Sequence, residues 1–199
     1  MLTERDRMII KHIEQYGFIT NRQARELFFG RASVKAYEVA RRRIKTIIDS
    51  GIGFTNKEKP LLIQQNKLTG ENVFYYGKPP TYHDLQIMNV YSGLVFLGIE
   101  VTMFKKHAEW LGGKYISDAF IAYKDGDVNN IACLEVCHTN NDTHLKGYEE
   151  LHGTNELQLK FNGAFPKIVL VGHRGRIPDT FLKVVDVNED LSNLHTILR

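Results

Sequence analysis

The sequence predicts an α+β protein in which an N-terminal helical unit with a β-hairpin precedes a small α/β domain. Apolar residues recur at helical spacing in three segments of the first fifty residues. Two apolar runs separated by the turn sequence TGEN follow, and strand-like runs begin again near residue 114. A chain of 199 residues has room for one or two domains of ordinary size.

Two short helices open the chain, and each begins with a capping-box pattern. In this pattern the N-cap residue and the residue three positions later each accept, through their side chains, a hydrogen bond from the other's backbone N–H. The pairs are Thr3 with Asp6 and Thr20 with Gln23. Gly17 and Gly30 follow the last apolar residues of these segments and predict the two helix ends.

The third helix is predicted over residues 33–50, beginning at Ser33. Its apolar stripe is spaced for burial and comprises Tyr37, Ala40, Ile44, Ile47 and Ile48. Opposite the stripe lie Lys35, Glu38, Arg42 and Lys45, flanked by Arg41. An exposed basic face on the third helix of a three-helix unit is typical of a recognition helix that enters the DNA major groove.

A β-hairpin is predicted over LLIQQNKLTGENVFYYG, residues 61–77. Helix, short helix, helix and hairpin is the order of a winged helix-turn-helix. In that arrangement the hairpin carries Lys67 towards the DNA backbone or the minor groove, where it adds affinity with little sequence information. The alternative is a winged helix that is used only for protein contacts.

A domain boundary is predicted at GKPPTY, residues 77–82, because this stretch breaks both periodic patterns. We therefore expect a winged-helix domain over 1–78 and an α/β domain over 79–199. The second domain is predicted to contain helices beginning at 81 and 142, a hairpin turning at 125–126, strands at 166–173 and 181–187, and a C-terminal helix over 188–198.

Positive charge is concentrated in the N-terminal quarter of the chain. Residues 1–50 hold eleven Lys and Arg against six Asp and Glu, a net charge of +5, whereas the remainder carries −2. This asymmetry predicts that a polyanion-binding surface lies in the N-terminal unit.

Neither export nor a membrane span is expected. The N-terminus MLTERDRMII is charged from its fourth residue, unlike a signal peptide, and apolar runs such as LVFLGI fall far short of a spanning helix. Cys133 and Cys137 are four apart in a strand-like run, which separates them by roughly 13 Å, too far for a disulfide. We therefore expect a cytoplasmic protein without membrane contact.

The chain resembles the replication-relaxation proteins of plasmids and mobile elements. Members of that family begin LTERD, carry ARRRL in the third helix of a winged helix, and continue with H-x-L, PDA, LEVDRGTE and a helical lysine and tyrosine. The corresponding positions here are 2–6, 40–44, 83–85, 117–119, 134–136, and Lys146 with Tyr148. The resemblance implies DNA-associated work and a second domain resembling a degenerate restriction-endonuclease-like fold. It departs at CHTN, where Cys137 and His138 replace the family's acidic and basic pair.

Metal-dependent cleavage of DNA is the alternative function that the resemblance raises. Such nucleases hold Mg²⁺ or a similar cation through Asp and Glu oxygens while a lysine helps to activate water. Asp118 and Glu135 are the candidate carboxylates. Cys137 stands where the lysine is expected, so Lys146 on the next helix is the candidate for a displaced lysine. The structural alternatives are that Asp118 ends a strand and that Glu135 is a buried acid paired with Lys146 or an arginine.

Other chemistries have weaker signals. Cys133, Cys137, His138 and His144 are possible zinc ligands, but their spacing matches no paired or finger pattern, so no metal site is predicted. The sequence has no nucleotide-binding glycine motif and no serine-nucleophile motif. It also lacks the paired histidines and tyrosine expected of a relaxase, so any part in relaxation is expected to be accessory.

The sequence therefore predicts a sequence-specific binder of double-stranded DNA that acts in replication, DNA transfer or transcription control of a plasmid, phage or other mobile element. The predicted contact residues are Lys35, Arg41, Arg42, Lys45 and Lys67. We expect a homodimer, since one short helix reads only a few base pairs. A replication or relaxase protein is a possible further partner. No cofactor is expected unless the chain cleaves DNA, which would require Mg²⁺.

Overall fold

The computed structural model describes residues 2–30, 35–50, 61–66, 69–137 and 143–198. Contacts between α-carbons divide the chain into two compact units, Met1–Ser92 and Gly93–Arg199. The division falls inside the fourth helix, later than the break predicted at residue 78. In the described ranges no helix is long and apolar enough to cross a membrane.

The first unit consists of helices and a small three-stranded sheet. Its elements are α1 (Glu4–Tyr16), β1 (Phe18–Thr20), α2 (Asn21–Ala24, continued by a π-helical turn over Arg25–Phe29), α3 (Ala36–Ser50), β2 (Leu62–Gln65) and β3 (Asn72–Tyr75). The sheet is antiparallel, in the order β1-β3-β2. Both predicted capping boxes are present, and the N–H of Gly17, at φ 86°, donates to the carbonyl of Ile13. The strand β1 was not predicted.

The core of the first unit forms where α1, α3 and the sheet meet. From α3 it receives Ala40, Ile44 and Ile47, which pack with apolar residues of α1 and with Phe74 of β3. Tyr37 and Ile48, the outer members of the predicted stripe, are half-buried. Burial of this stripe fixes the opposite face of α3 towards solvent.

An ion pair between the buried Asp6 and the partly exposed Arg43 also holds α3 against α1. The Asp6 side chain is fully buried, and its carboxylate accepts hydrogen bonds from Nε and Nη2 of Arg43, the former at 3.0 Å. The backbone N–H and the hydroxyl of Thr3 donate to the same carboxylate at 2.7 and 2.8 Å. Burial would raise the pKa of Asp6, but the hydrogen bonds from Arg43 and Thr3 and the charge of Arg43 outweigh it and lower the pKa to about 2.

A mixed five-stranded sheet forms the second unit. The helix α4 (Tyr82–Phe96) begins in the first unit and ends in the second. It is followed by β4 (Glu100–Trp110), β5 (Tyr115–Asp125), β6 (Val128–Val136), α5 (Thr143–Gly153), α6 (Glu156–Lys160), β7 (Lys167–Val171) and β8 (Val184–Val187). Strand order follows chain order, with β4, β5 and β6 antiparallel and β6, β7 and β8 parallel. The helices α5 and α6 pack on one face of this sheet through Tyr148, Leu151 and Leu157.

Two features of the second unit differ from the sequence prediction. The strand β4 was not predicted, and the C-terminal helix expected over 188–198 is only a 3-10 turn at Leu194–Leu198. Residues at the expected start of that helix form a turn instead. The N–H of Asn188 donates to the side chain of Asn193 at 2.7 Å, and Leu191 has a left-handed backbone with φ 62°, which a helix does not allow.

We expect Asp6→Asn to reduce the free energy of unfolding of the first unit by about 2 to 3 kcal/mol at neutral pH. Asparagine can still accept a bond from Thr3, so the loss reports the charge paired with Arg43. The folded-state pKa of Asp6 is depressed to about 2. Its contribution is therefore complete above the unfolded-state pKa of about 4 and is lost as the pH falls towards 2.

Urea unfolding of the full chain, followed by circular dichroism across this pH range, measures the effect. Burial also lowers the pKa of His12 to about 4, so His12 titrates in the same pH range. The contribution of His12 cancels when the unfolding free energy of the variant is subtracted from that of the wild type at each pH. Glu4→Gln is the matched control, because it removes only the exposed contact of Glu4 with Arg7. Equal losses in Asp6→Asn and Glu4→Gln would contradict a central role for the Asp6–Arg43 pair.

Candidate nucleic-acid interface

The exposed face of α3 carries the basic residues that the sequence predicted there. Arg41, Arg42, Lys45 and, just before the helix, Lys35 are all exposed. With 3.6 residues per turn these positions lie on the side opposite the buried stripe. We call the exposed surface formed by Lys35, Glu38, Arg41, Arg42, Lys45 and Asp49 the basic face; its net charge is +2.

Arg41 and Arg42 of the basic face form hydrogen bonds with Glu38 of the same helix. Nη2 of Arg41 donates to Oε2 of Glu38 at 3.1 Å, and both side chains are more than half exposed. Nε of Arg42 donates to the Glu38 carbonyl at 3.4 Å. An exposed i,i+3 pair contributes at most about 1 kcal/mol, so a phosphate or a base can displace it at small cost.

Arg43, the third arginine of the ARRRI run, has a different role. It lies on the side of α3 that faces α1 and is bound by the buried Asp6. This pair was not predicted, although the spacing of Ala36, Ala40, Arg43 and Ile47 places Arg43 beside the buried stripe. Two of the three consecutive arginines therefore point to solvent and one is structural.

The predicted hairpin is present as β2 and β3, with Leu62 paired with Tyr75 and Gln65 with Asn72. All four residues of β2 are exposed. Lys67, the predicted contact residue of the hairpin, lies outside the described residues.

In the second unit, Glu135 of β6 is a buried carboxylate held by α5. Its side chain is 4% exposed, and Oε1 accepts a hydrogen bond from the hydroxyl of Tyr148. Nδ1 of His144 lies 3.5 Å from Oε2, an ion pair only when His144 is protonated. His144 and Tyr148 are four residues apart and therefore share one face of α5. The partners expected for Glu135 were Lys146 or an arginine, whereas the contacts in the structure are with His144 and Tyr148.

Asp118, the other candidate carboxylate, lies where the β5–β6 ladder ends. The last paired residues are Ala119 and Leu134, and beyond them Oδ2 of Asp118 accepts a hydrogen bond from the N–H of Val136 at 2.7 Å. The side chain thus caps the ladder from inside β5, so the structural alternative that Asp118 ends a strand is wrong.

The candidate lysine does not join these carboxylates. Lys146 is exposed, and its position on α5 is about 200° around the helix from the neighbouring His144 and Tyr148. Among the described residues no three His, Cys, Asp or Glu side chains lie close enough to hold a metal ion. Of the possible zinc ligands, His138 is outside the described residues.

Both cysteines are free thiols, Cys133 in β6 and Cys137 directly after it. Burial raises the pKa of Cys133 to about 12. Burial, with the nearby charges of Glu135, Asp118 and Asp186, raises the pKa of Cys137 to about 11. Cys137 is therefore a neutral thiol at physiological pH and cannot supply the cation that a nuclease site requires at this position.

A cavity of about 170 Å³ lies over Glu135, between β5 and α5. Ser117, His144 and Tyr148 are among the residues that line it. Its volume is below the roughly 300 Å³ at which sites for drug-sized ligands begin. The basic face of α3 is therefore the stronger candidate for a functional surface.

The chain matches no protein-family model, no curated protein and no solved structure in comparisons with each of these sets. The resemblance to the replication-relaxation proteins therefore stays a prediction that depends on short motifs.

We expect Tyr148→Phe to lower the free energy of unfolding of the second unit by about 1.5 to 3 kcal/mol, because it removes a donor from a buried carboxylate. Urea unfolding followed by tryptophan fluorescence measures this, since the single tryptophan, Trp110, is buried in the same core as Tyr148.

Tyr115→Phe is the matched control, since its hydroxyl also donates to a glutamate, the exposed Glu150. It is expected to cost less than about 1 kcal/mol. A loss in Tyr148→Phe no larger than that of the control would show that the buried bond does not stabilise the unit.

Proposed function

We propose that this chain binds double-stranded DNA in a sequence-specific way, with α3 in the major groove. The observation that carries the proposal is the exposed basic face of α3, held outward by the buried stripe and by the Asp6–Arg43 pair. The element order of the first unit and its sheet order β1-β3-β2 support a winged helix-turn-helix.

Each contact residue has a distinct part in this proposal. Arg41, Arg42 and Lys45 contact bases or phosphates within the groove, because they lie at the centre of the basic face. Lys35 and, on the hairpin, Lys67 contact the DNA backbone and supply affinity rather than sequence information.

We further propose that the protein is a cytoplasmic homodimer, because two copies of one short recognition helix read two half-sites. The sequence resemblance supports a part in replication, DNA transfer or transcription control of a plasmid, phage or other mobile element. The second unit, with its resemblance to a degenerate restriction-endonuclease-like fold, then serves dimerisation or docks a replication or relaxase protein.

Replacing Arg41, Arg42 and Lys45 together by alanine is expected to abolish tight binding of duplex DNA by the full chain. If the three side chains neutralise phosphates, the slope of log affinity against log salt falls by about 2 to 3. If Arg42 is bidentate to guanine, Arg42→Ala alone costs about 1 to 3 kcal/mol. Fluorescence anisotropy across a salt series measures both quantities.

The matched control is alanine at Lys105, Lys146 and Arg176, three exposed bases of the second unit. This triple variant loses the same charge as the α3 variant, but we expect it to retain DNA binding and most of the slope of log affinity against log salt. Equal binding by wild type and the α3 variant would overturn the placement of the interface. Weak binding by wild type with little salt dependence would instead indicate a protein-interaction module.

Our proposal assigns no cleavage activity, so supercoiled plasmid incubated with the protein and Mg²⁺ or Mn²⁺ is expected to stay supercoiled. The alternative enzyme would use Asp118 and Glu135, both of which already accept hydrogen bonds within the unit. Nicking or linearisation that is lost in both Asp118→Asn and Glu135→Ala would contradict the proposal and establish the nuclease.

A further inference from the structure

The basic face of α3 carries an acid close to its centre. Glu38 is the third residue of α3, and Arg41 and Arg42 follow it by three and four positions. These spacings place both arginines beside Glu38 on one face of the helix. The Glu38 side chain is 54% exposed, and its Oε2 accepts the hydrogen bond from Arg41 at 3.1 Å.

A carboxylate at this position opposes nonspecific binding of DNA. The duplex is a dense array of negative charge, and general affinity comes from the cations that neutralise its phosphates. An exposed acid among those cations lowers the attraction for every sequence alike. The Glu38 carboxylate favours binding only to a DNA sequence that offers it a hydrogen-bond donor.

The major groove offers such a donor on cytosine. The exocyclic N4 amino group of cytosine donates there, and glutamate is one of the side chains that accept from it. Residues near the N-terminus of a recognition helix are the ones that reach base edges, and Glu38 lies in the first turn of α3. Arg41 donates to the Glu38 carboxylate and Arg42 donates to the backbone carbonyl of Glu38, so both guanidinium groups lie beside Glu38.

We propose that Glu38 is a specificity-determining residue that accepts a hydrogen bond from the amino group of one cytosine in the bound site. A site without that cytosine leaves the carboxylate unpaired in the groove and is rejected. Arg41 orients the carboxylate, and an adjacent guanine is the base that fits the arginine fork. This inference rests on the proposed DNA binding.

A purely structural role for Glu38 is the competing explanation. An acid in the first turn of a helix interacts favourably with the helix dipole. That role predicts a change of stability in Glu38→Gln but no change in which base pairs the protein prefers. The base preference is therefore the readout that separates the two explanations.

The experiment compares full-length wild type, Glu38→Gln and Asp49→Asn. Each protein first selects sites from a pool of random duplexes, and its affinities for the wild-type site and for unselected duplex are then measured by competition. Asp49→Asn is the matched control, because Asp49 is exposed on the same face and the substitution removes the same charge. It lies eleven residues later, roughly 16 Å along the helix from Glu38.

We expect wild type to select sites with one strongly preferred cytosine within its half-site. In Glu38→Gln that preference is lost or shifts to adenine, which glutamine recognises, and affinity for the wild-type site falls about tenfold or more. Affinity of Glu38→Gln for unselected duplex rises, because one repulsive charge is gone. Asp49→Asn is expected to share only this rise and to select the wild-type site.

Three results would overturn the inference, and they differ in what else they reject. If wild type selects a site and Glu38→Gln selects the same site, Glu38 does not determine specificity, although DNA binding stands. If wild type binds duplex without base preference, general DNA binding stands and the claim of sequence specificity fails with the inference. If wild type does not bind duplex at all, the proposed function itself is wrong.

Discussion

The ion pair between Asp6 and Arg43 helps to fix the rotation of α3 about its axis, and therefore which face of α3 is exposed to solvent. Asp6 is fully buried, so its carboxylate requires a charged partner, and Arg43 supplies two hydrogen bonds from the neighbouring helix. A rotation of α3 by one residue, about 100°, would leave Asp6 unpaired and turn the apolar stripe away from the core. The rotation of the helix is therefore fixed by charge as well as by packing, and the basic face is its consequence.

Each unit contains a buried carboxylate, and the two carboxylates have hydrogen-bond partners of different charge. Asp6 has an arginine, whereas Glu135 has the neutral hydroxyl of Tyr148 and the ring of His144. A nuclease site would need Glu135 and Asp118 to exchange these partners for a metal ion. Asp118 and Glu135 both accept hydrogen bonds within the second unit, whereas the basic face of α3 is exposed.

Local signals predicted much of the fold. The capping boxes at Thr3 and Thr20 and the stripe of α3 were confirmed, because hydrogen bonds and packing within a few residues determine them.

The strand β1 was missed because three residues carry too little pattern, and its pairing with β3 depends on residues more than fifty positions away. The strand β4 was missed because a bulge between Val101 and Met103 interrupts its alternation and because Lys106 occupies one of its half-buried positions, which weakens the apolar period-two pattern in the sequence. The roles of Arg43 and Tyr148 depend on side chains from other elements, so only their positions within helical stripes could have indicated them.

Protection of individual lysines from chemical acetylation by duplex DNA tests the interface most directly, since mass spectrometry of the full chain reports every lysine at once. At low salt and saturating duplex, we expect Lys45 of α3 to be strongly protected, whereas Lys146 of α5 reacts as it does without DNA. Protection of Lys146 with unchanged reaction at Lys45 would contradict the assignment of DNA binding to the basic face.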